Sequence, residues 1–226
     1  MRVGSCLRLL GFALAFLALG ACVPRAQIDP VTIEPDVGKP VSIFVGTTRA
    51  RDPVRYFSAT ERGPVSYARF DVTVPPDHRS GSVEVGGREP NPKEDFVVRK
   101  VSPFADSSVF RRAVRDTFRA NPKMENEAVI FVHGFNNTMA DGIFRLSQLM
   151  NDLQVPGLPV HFSWPSAANP LGYGYDRDSV LYSRDGLETL IREVSASGAN
   201  DIVIVAHSMG TSLVMETLRQ MAKSDK

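Results

Sequence analysis

The sequence predicts an α/β protein built on a doubly wound, mostly parallel sheet. Three observations carry that prediction. From Ala128 onward, short apolar runs alternate with longer segments of helical periodicity. The run Ala128-Val129-Ile130-Phe131-Val132 is apolar without a break, as expected of a strand covered on both faces. And Asp201 to Gly210 reads as an apolar strand turning sharply through a serine into a helix. Strand–helix alternation of this kind implies parallel pairing through right-handed crossovers.

At the N-terminus, Arg2 and Arg8 precede the apolar run Leu9 to Leu19. A positive start and a short apolar stretch form a secretory leader, too short to span a bilayer comfortably. Leu19-Gly20-Ala21-Cys22 closes it with small residues and a cysteine, and resembles the bacterial lipobox, in which the cysteine is lipidated and begins the mature chain. The plainer alternatives are an ordinary cleaved signal or an uncleaved anchor. Residues 1–21 are therefore read as the signal peptide. Val23 after the cysteine hints at an outer-membrane lipoprotein facing the periplasm. Pro24, Pro30, Pro35 and Pro40 make residues 22–40 an extended tether.

Residues 41–226 read as the domain. Val41 to Thr47 is a first strand, and Tyr67 to Val74 alternates with period two until Pro75-Pro76 stops it. Asp77 to Asp95 is a charged, glycine- and proline-rich loop, and Phe96-Val97-Val98 is a further short strand. Val109, Phe110, Ala113, Val114, Thr117 and Phe118 give a helix over 107–120. After the strand 128–132 comes a helix from about Thr138, with Asn137 placed to cap it. Leu158 to Phe162 is the next strand. Asp178 caps the helix bearing Leu187, Leu190, Ile191 and Val194. The strand Ile202 to Val205 and the helix beyond Met209 complete the pattern.

Composition narrows the function classes. The chain has 26 Lys+Arg against 25 Asp+Glu, so no basic excess is available to neutralise nucleic-acid phosphates. Of its two cysteines, Cys6 lies within the leader, leaving Cys22 alone after processing. No intrachain disulfide and no cysteine metal site can then form, and no cofactor or metal motif is present.

The chemistry concentrates at Ala206-His207-Ser208-Met209-Gly210. A serine on a tight strand-to-helix turn has a strained backbone and an exposed hydroxyl, the nucleophile elbow of serine hydrolases. Flanking residues must be small; Gly210 meets that demand and Ala206 replaces the usual glycine. The helix N-terminus favours developing negative charge. The competing account makes Ser208 a helix cap and Gly210 a packing glycine. A second element bears on that choice. Phe131-Val132-His133-Gly134-Phe135-Asn136 ends the earlier strand, and its His-Gly pair resembles the oxyanion loop of lipases and esterases. The oxyanion donors would be the amides of Phe135 and Met209.

None of the histidines reads as a general base. His207 neighbours Ser208 but is expected to pack behind the turn, and His133 to shape its loop. His161, on a strand, reads as a satisfied core histidine, and His78 lies in the charged loop. Trp164, Tyr173, Tyr175 and Tyr182 either line an acyl pocket or cover the end of the sheet.

Phe44 to Arg49, Tyr67 to Asp71, Phe131 to Asn137, Phe162 to Ser166, Tyr175 to Ser179 and Ala206 to Thr211, taken together, resemble the bacterial alpha/beta-hydrolase family of uncharacterised function, often exported or lipidated. The resemblance covers most of residues 41–222 and implies a serine-hydrolase scaffold. Hydrolases of this class place the acid and then the histidine after the serine. Beyond Ser208 this chain offers only Glu216 and Asp225, and no histidine. The expectation is thus an alpha/beta-hydrolase sheet incomplete on its C-terminal side, with Ile202 to Val205 exposed at an edge. Two functions follow. One is a lipid-anchored esterase acting on a small ester or lipid-like substrate, impaired as it stands. The other is a catalytically silent envelope lipoprotein that uses the scaffold for binding.

Overall fold

The computed structural model describes residues 25–34 and 37–224. The leader, Cys22 and Asp225 lie outside the described residues. Six strands form one sheet: β1 (Lys39–Asp52), β2 (Tyr56–Val74), β3 (Val97–Pro103), β4 (Glu127–Val132), β5 (Leu158–Ser163) and β6 (Asp201–Ala206). Four helices accompany them: α1 (Ser107–Ala120), α2 (Met139–Asp152), α3 (Tyr173–Ala196) and α4 (Met209–Ser224). The spatial order is β3-β2-β1-β5-β4-β6. β1, β2 and β3 pair antiparallel, whereas β1–β5, β5–β4 and β4–β6 are parallel. A mixed sheet with an antiparallel margin results, as the sequence predicts.

Strand alternation assigns the two faces. Ile43, Val45, Phe70, Val72, Val129 and Phe131 meet Ile143, Phe144 and Leu146 of α2. Phe44, Ile130, Val132, Val160 and Phe162 meet the other three helices through residues such as Phe110, Val114, Leu187, Leu190 and Leu213. Helices on both faces make the sheet doubly wound. Each large apolar side chain so buried contributes roughly 1.5–3 kcal/mol. α1 starts where Asp106 accepts from the Ser108 and Val109 amides, and it buries Phe110, Val114 and Phe118.

Several boundaries differ from the sequence reading. β1 runs on to Asp52, and β2 begins at Tyr56, well before the expected Tyr67. α2 is capped by Thr138, not Asn137, because Thr138 and Asp141 form a reciprocal capping box. α3 begins at Tyr173, five residues before the expected cap; Asp178 sits inside it, paired at the surface with Arg177 at 3.2 Å. The tether is not a free spacer over 25–34. Ala26 is buried, Ile28 packs on the core, and the Val31 amide donates to the Val98 carbonyl at 2.8 Å.

β6 occupies the sheet edge, paired only with β4, and exposes Val203 and Val205 while Ile202 and Ile204 pack inward. The register pairs Val132 with both Phe162 and Ala206, so β5, β4 and β6 end side by side. Their following loops converge at the carboxyl end of the parallel strands, where open α/β sheets build their sites.

Candidate active site

Ser208 lies between β6 and α4 with φ of 53°, a left-handed conformation that a serine adopts only under constraint. It is exposed. The constraint is visible on both sides of the turn. The His207 amide donates to the Val132 carbonyl at 3.1 Å, and the amides of Gly210 and Thr211 turn back to the carbonyls of His207 and Ser208. Gly210 cannot carry a side chain: a Cβ there would stand 2.4 Å from the His133 carbonyl oxygen and 2.8 Å from that of Val132. The demand for a small residue at Gly210 comes from the carbonyls of Val132 and His133 at the end of β4.

The His133–Asn137 loop meets the elbow at Gly134. A Cβ on Gly134 would lie 3.0 Å from the Ser208 Cβ and 2.7 Å from Nδ1 of His207. The two segments singled out in the sequence are therefore in contact. Neither the Phe135 amide nor the Met209 amide has a hydrogen-bond acceptor among the described residues. His207 corrects its expectation: it does not pack behind the turn but is exposed and, with Gly134, Ala206, Val205 and Phe131, lines a cleft of about 990 Å³.

Behind the loop sits a buried polar network. Asp176, fully buried in the first turn of α3, accepts from the Asn136 amide at 3.1 Å, from Oγ of Ser166 at 2.6 Å and from the Ala167 amide at 2.6 Å. Ser166 Oγ in turn accepts from the Asn137 amide at 3.2 Å. Arg49, 1% exposed, donates to Ser163 Oγ, to the carbonyls of Ala59 and Ser166, and to the Asn137 carbonyl at 3.2 Å. Burial lowers the Arg49 pKa to about 10, opposed by the Asp176 charge, so the guanidinium stays charged at neutral pH. Asn136 itself has φ of 58°. This loop is held in a strained shape by groups three elements away.

The histidines divide by environment. His133 stacks on Trp164 with ring centroids 4.6 Å apart, and both its nitrogens face carbonyls, of Gly134 at 2.9 Å and Trp164 at 3.0 Å. Burial, then His161 and Arg49, push its pKa well below the ordinary value, and its ring ties the loop to Trp164. His161 is a core histidine but not a satisfied one. Its Nδ1 meets the Phe131 carbonyl at 3.1 Å, while Nε2 is buried without a hydrogen-bond partner. That nitrogen faces α2 at Gly142, where any Cβ would come within 2.3 Å of it. Burial takes the His161 pKa down to about 3. Trp164 is likewise core, and its Nε1 donates to the His133 carbonyl. Tyr175 and Tyr182 flank Arg62 instead, so the four aromatics form no single pocket. No histidine hydrogen bonds to Ser208 among the described residues.

The sequence reading missed Asp176 and Arg49 as site residues. Asp176 was visible only as one of a pair of acids, and Arg49 only within a motif; neither carries a local signal of burial.

A mixed, mostly parallel sheet wound on both faces, a left-handed serine at the strand–helix turn and a glycine loop against it define the alpha/beta-hydrolase class. Residues 107–226 match the family model described as alpha/beta hydrolase of unknown function (DUF900), and the chain belongs to that family. No curated protein and no solved structure matches it.

Proposed function

We propose that this protein is a serine hydrolase acting on an ester-type carbonyl and anchored to the bacterial envelope by lipid on Cys22, on the periplasmic face of the outer membrane. Ser208 Oγ would attack the carbonyl carbon. The oxygen that becomes negative would be held by the Phe135 and Met209 amides, each such donor being worth on the order of 3 kcal/mol. The serine proton would pass to a base, the bond to the alcohol would break, and water would release the acyl group from Ser208. The observation that carries this reading is the contact of Gly134 with a left-handed, exposed Ser208, beside two amides without acceptors. Ala206, His207 and Gly210 support the turn, and His133 supports the loop.

No histidine hydrogen-bonds to Ser208 among the described residues to serve as its base. Without one, an oxyanion hole and binding alone retain about 10³–10⁴-fold over water. The same observation favours a second reading, an envelope lipoprotein that binds an ester or lipid-like ligand without turning it over. A fluorophosphonate probe separates the two. Adduct formation that disappears in Ser208→Ala supports the hydrolase; folded protein that takes no adduct supports the binding module.

A further inference from the structure

The cleft beside Ser208 is clamped by the first described residue of the chain. Arg25 donates through Nη1 to the Asn136 carbonyl at 3.0 Å and to Asp141 Oδ2 at 3.3 Å, and through Nη2 to Asn136 Oδ1 at 2.8 Å and the Ala168 carbonyl at 3.5 Å. Arg25 thus joins the loop before α2 to the loop before α3, and it lines the cleft. Behind it the strap is fixed by buried Ala26 and by the Val31–Val98 hydrogen bond.

Cys22 lies three residues before Arg25. An extended chain spans at most about 3.6 Å per residue, so the Cys22 Cα stands within about 11 Å of the Arg25 Cα whatever its conformation. The loop that Arg25 reaches at Ala168 leads on to two exposed apolar side chains. Leu171 is 93% exposed and Tyr173 60% exposed, and the Tyr173 ring lies edge-on to Phe135 at 5.5 Å. The opposite pole, where Lys123 precedes β4, is a six-residue strand away, roughly 20 Å.

We infer that the cleft beside Ser208 faces the lipid surface, held there by the Arg25 strap with Leu171 and Tyr173 against the headgroups. The occupant of this face is a phospholipid bilayer, and the ligands presented to the cleft are acyl esters carried by it. A short leash and an apolar tip act on the same pole. Headgroup regions are about 5–8 Å deep on each side of a bilayer, which an anchored residue so close to the cleft cannot leave far behind. The inference rests on the lipid anchor proposed above, and on nothing about turnover.

The test uses the full chain isolated from membranes and placed in phosphatidylethanolamine–phosphatidylglycerol vesicles, some with brominated acyl chains. Leu171→Trp and Lys123→Trp variants report the two poles, with Trp164 a common background. The emission of Leu171→Trp should shift to the blue and lose intensity with brominated lipid, and that of Lys123→Trp should do neither. Equal responses at the two positions, or none at Leu171→Trp, overturn the inference. Mass spectrometry of the N-terminal peptide keeps the two failures apart. Acylated Cys22 with no response at Leu171→Trp sinks the orientation alone, whereas unmodified Cys22 sinks the anchor and the orientation with it. Fluorophosphonate reactivity of Ser208 bears on neither outcome.

Discussion

The proposed oxyanion loop and the elbow touch at Gly134, yet the molecule holds them in opposite ways. From Gly134 to Asn137 the loop is fastened by a buried carboxylate, a buried guanidinium and a histidine stacked on the only tryptophan. The elbow, at the exposed edge of the sheet, is fastened by backbone hydrogen bonds and the Thr211 hydroxyl on the Ala206 carbonyl, and its serine hydroxyl meets no histidine among the described residues. One half of the proposed hydrolase site is thus preorganised, while no hydrogen-bonded base joins the other half among the described residues. Electrostatic preorganisation and nucleophile activation are separable contributions, and a scaffold can carry the first without the second.

That contrast can be broken from the loop side first. Asp176→Ala leaves three donors without their acceptor and removes the largest of the charges that offset the burial of Arg49, so unfolding in urea should show a loss of about 3–5 kcal/mol. A loss below 1 kcal/mol would mean that the network is not what holds the loop. Gly134→Ala forces a methyl onto His207 and Ser208. Folded protein should form its fluorophosphonate adduct about 10²-fold more slowly, since displacement of about 1 Å at a reacting centre costs that much. Unchanged labelling would uncouple the loop from the serine.

The elbow side gives a smaller effect of opposite sign. Ser208→Gly abolishes the nucleophile but relieves the left-handed strain at φ 53°, and should stabilise the fold by about 1 kcal/mol in the same urea assay. A destabilised variant would show that the turn carries no strain.

The smallest expected effect lies at the far wall of the cleft. Val83 and Val85 line it, and their loop is pinned by His78, whose nitrogens meet Glu84 at 2.9 Å and Asp152 at 2.7 Å. Burial alone would lower the His78 pKa, but the two carboxylates outweigh it and raise it. Burial opposes the ionisation of Glu84 and Asp152 too, yet hydrogen bonds hold both below their usual values. The clip's contribution is therefore complete below the ordinary histidine pKa of about 6.5 and is lost as pH rises through the raised folded value. At the acid end it is lost as pH falls through the lowered carboxylate values. His78→Gln should flatten the alkaline slope of urea midpoint against pH; an unchanged slope would assign it elsewhere.

How much of this was legible depended on whether a residue's role is local. The period-two pattern of Tyr67 to Val74, the helical spacing over 107–120 and the unbroken run at 128–132 each record burial directly, and those elements stand where they were read. The first half of β2 was not legible, because Tyr56 to Ser66 is a bulged ribbon paired with Thr47 to Asp52 whose exposed and buried residues do not alternate. Ser208 and Gly134 could be found because a tight turn needs particular residues in sequence. Arg49 and Asp176 could not, since they come together from strands and helices 127 positions apart and each looks like a surface charge. Arg25 was hidden in the same way, within a proline-punctuated stretch that reads as a spacer.

The most direct test of the central claim is a crystal structure of the protein after reaction with a small fluorophosphonate. The account predicts phosphorus bonded to Ser208 Oγ, with one phosphonyl oxygen about 2.7–3.1 Å from the amides of both Phe135 and Met209. An adduct whose oxygens point to solvent, away from those two amides, would contradict it.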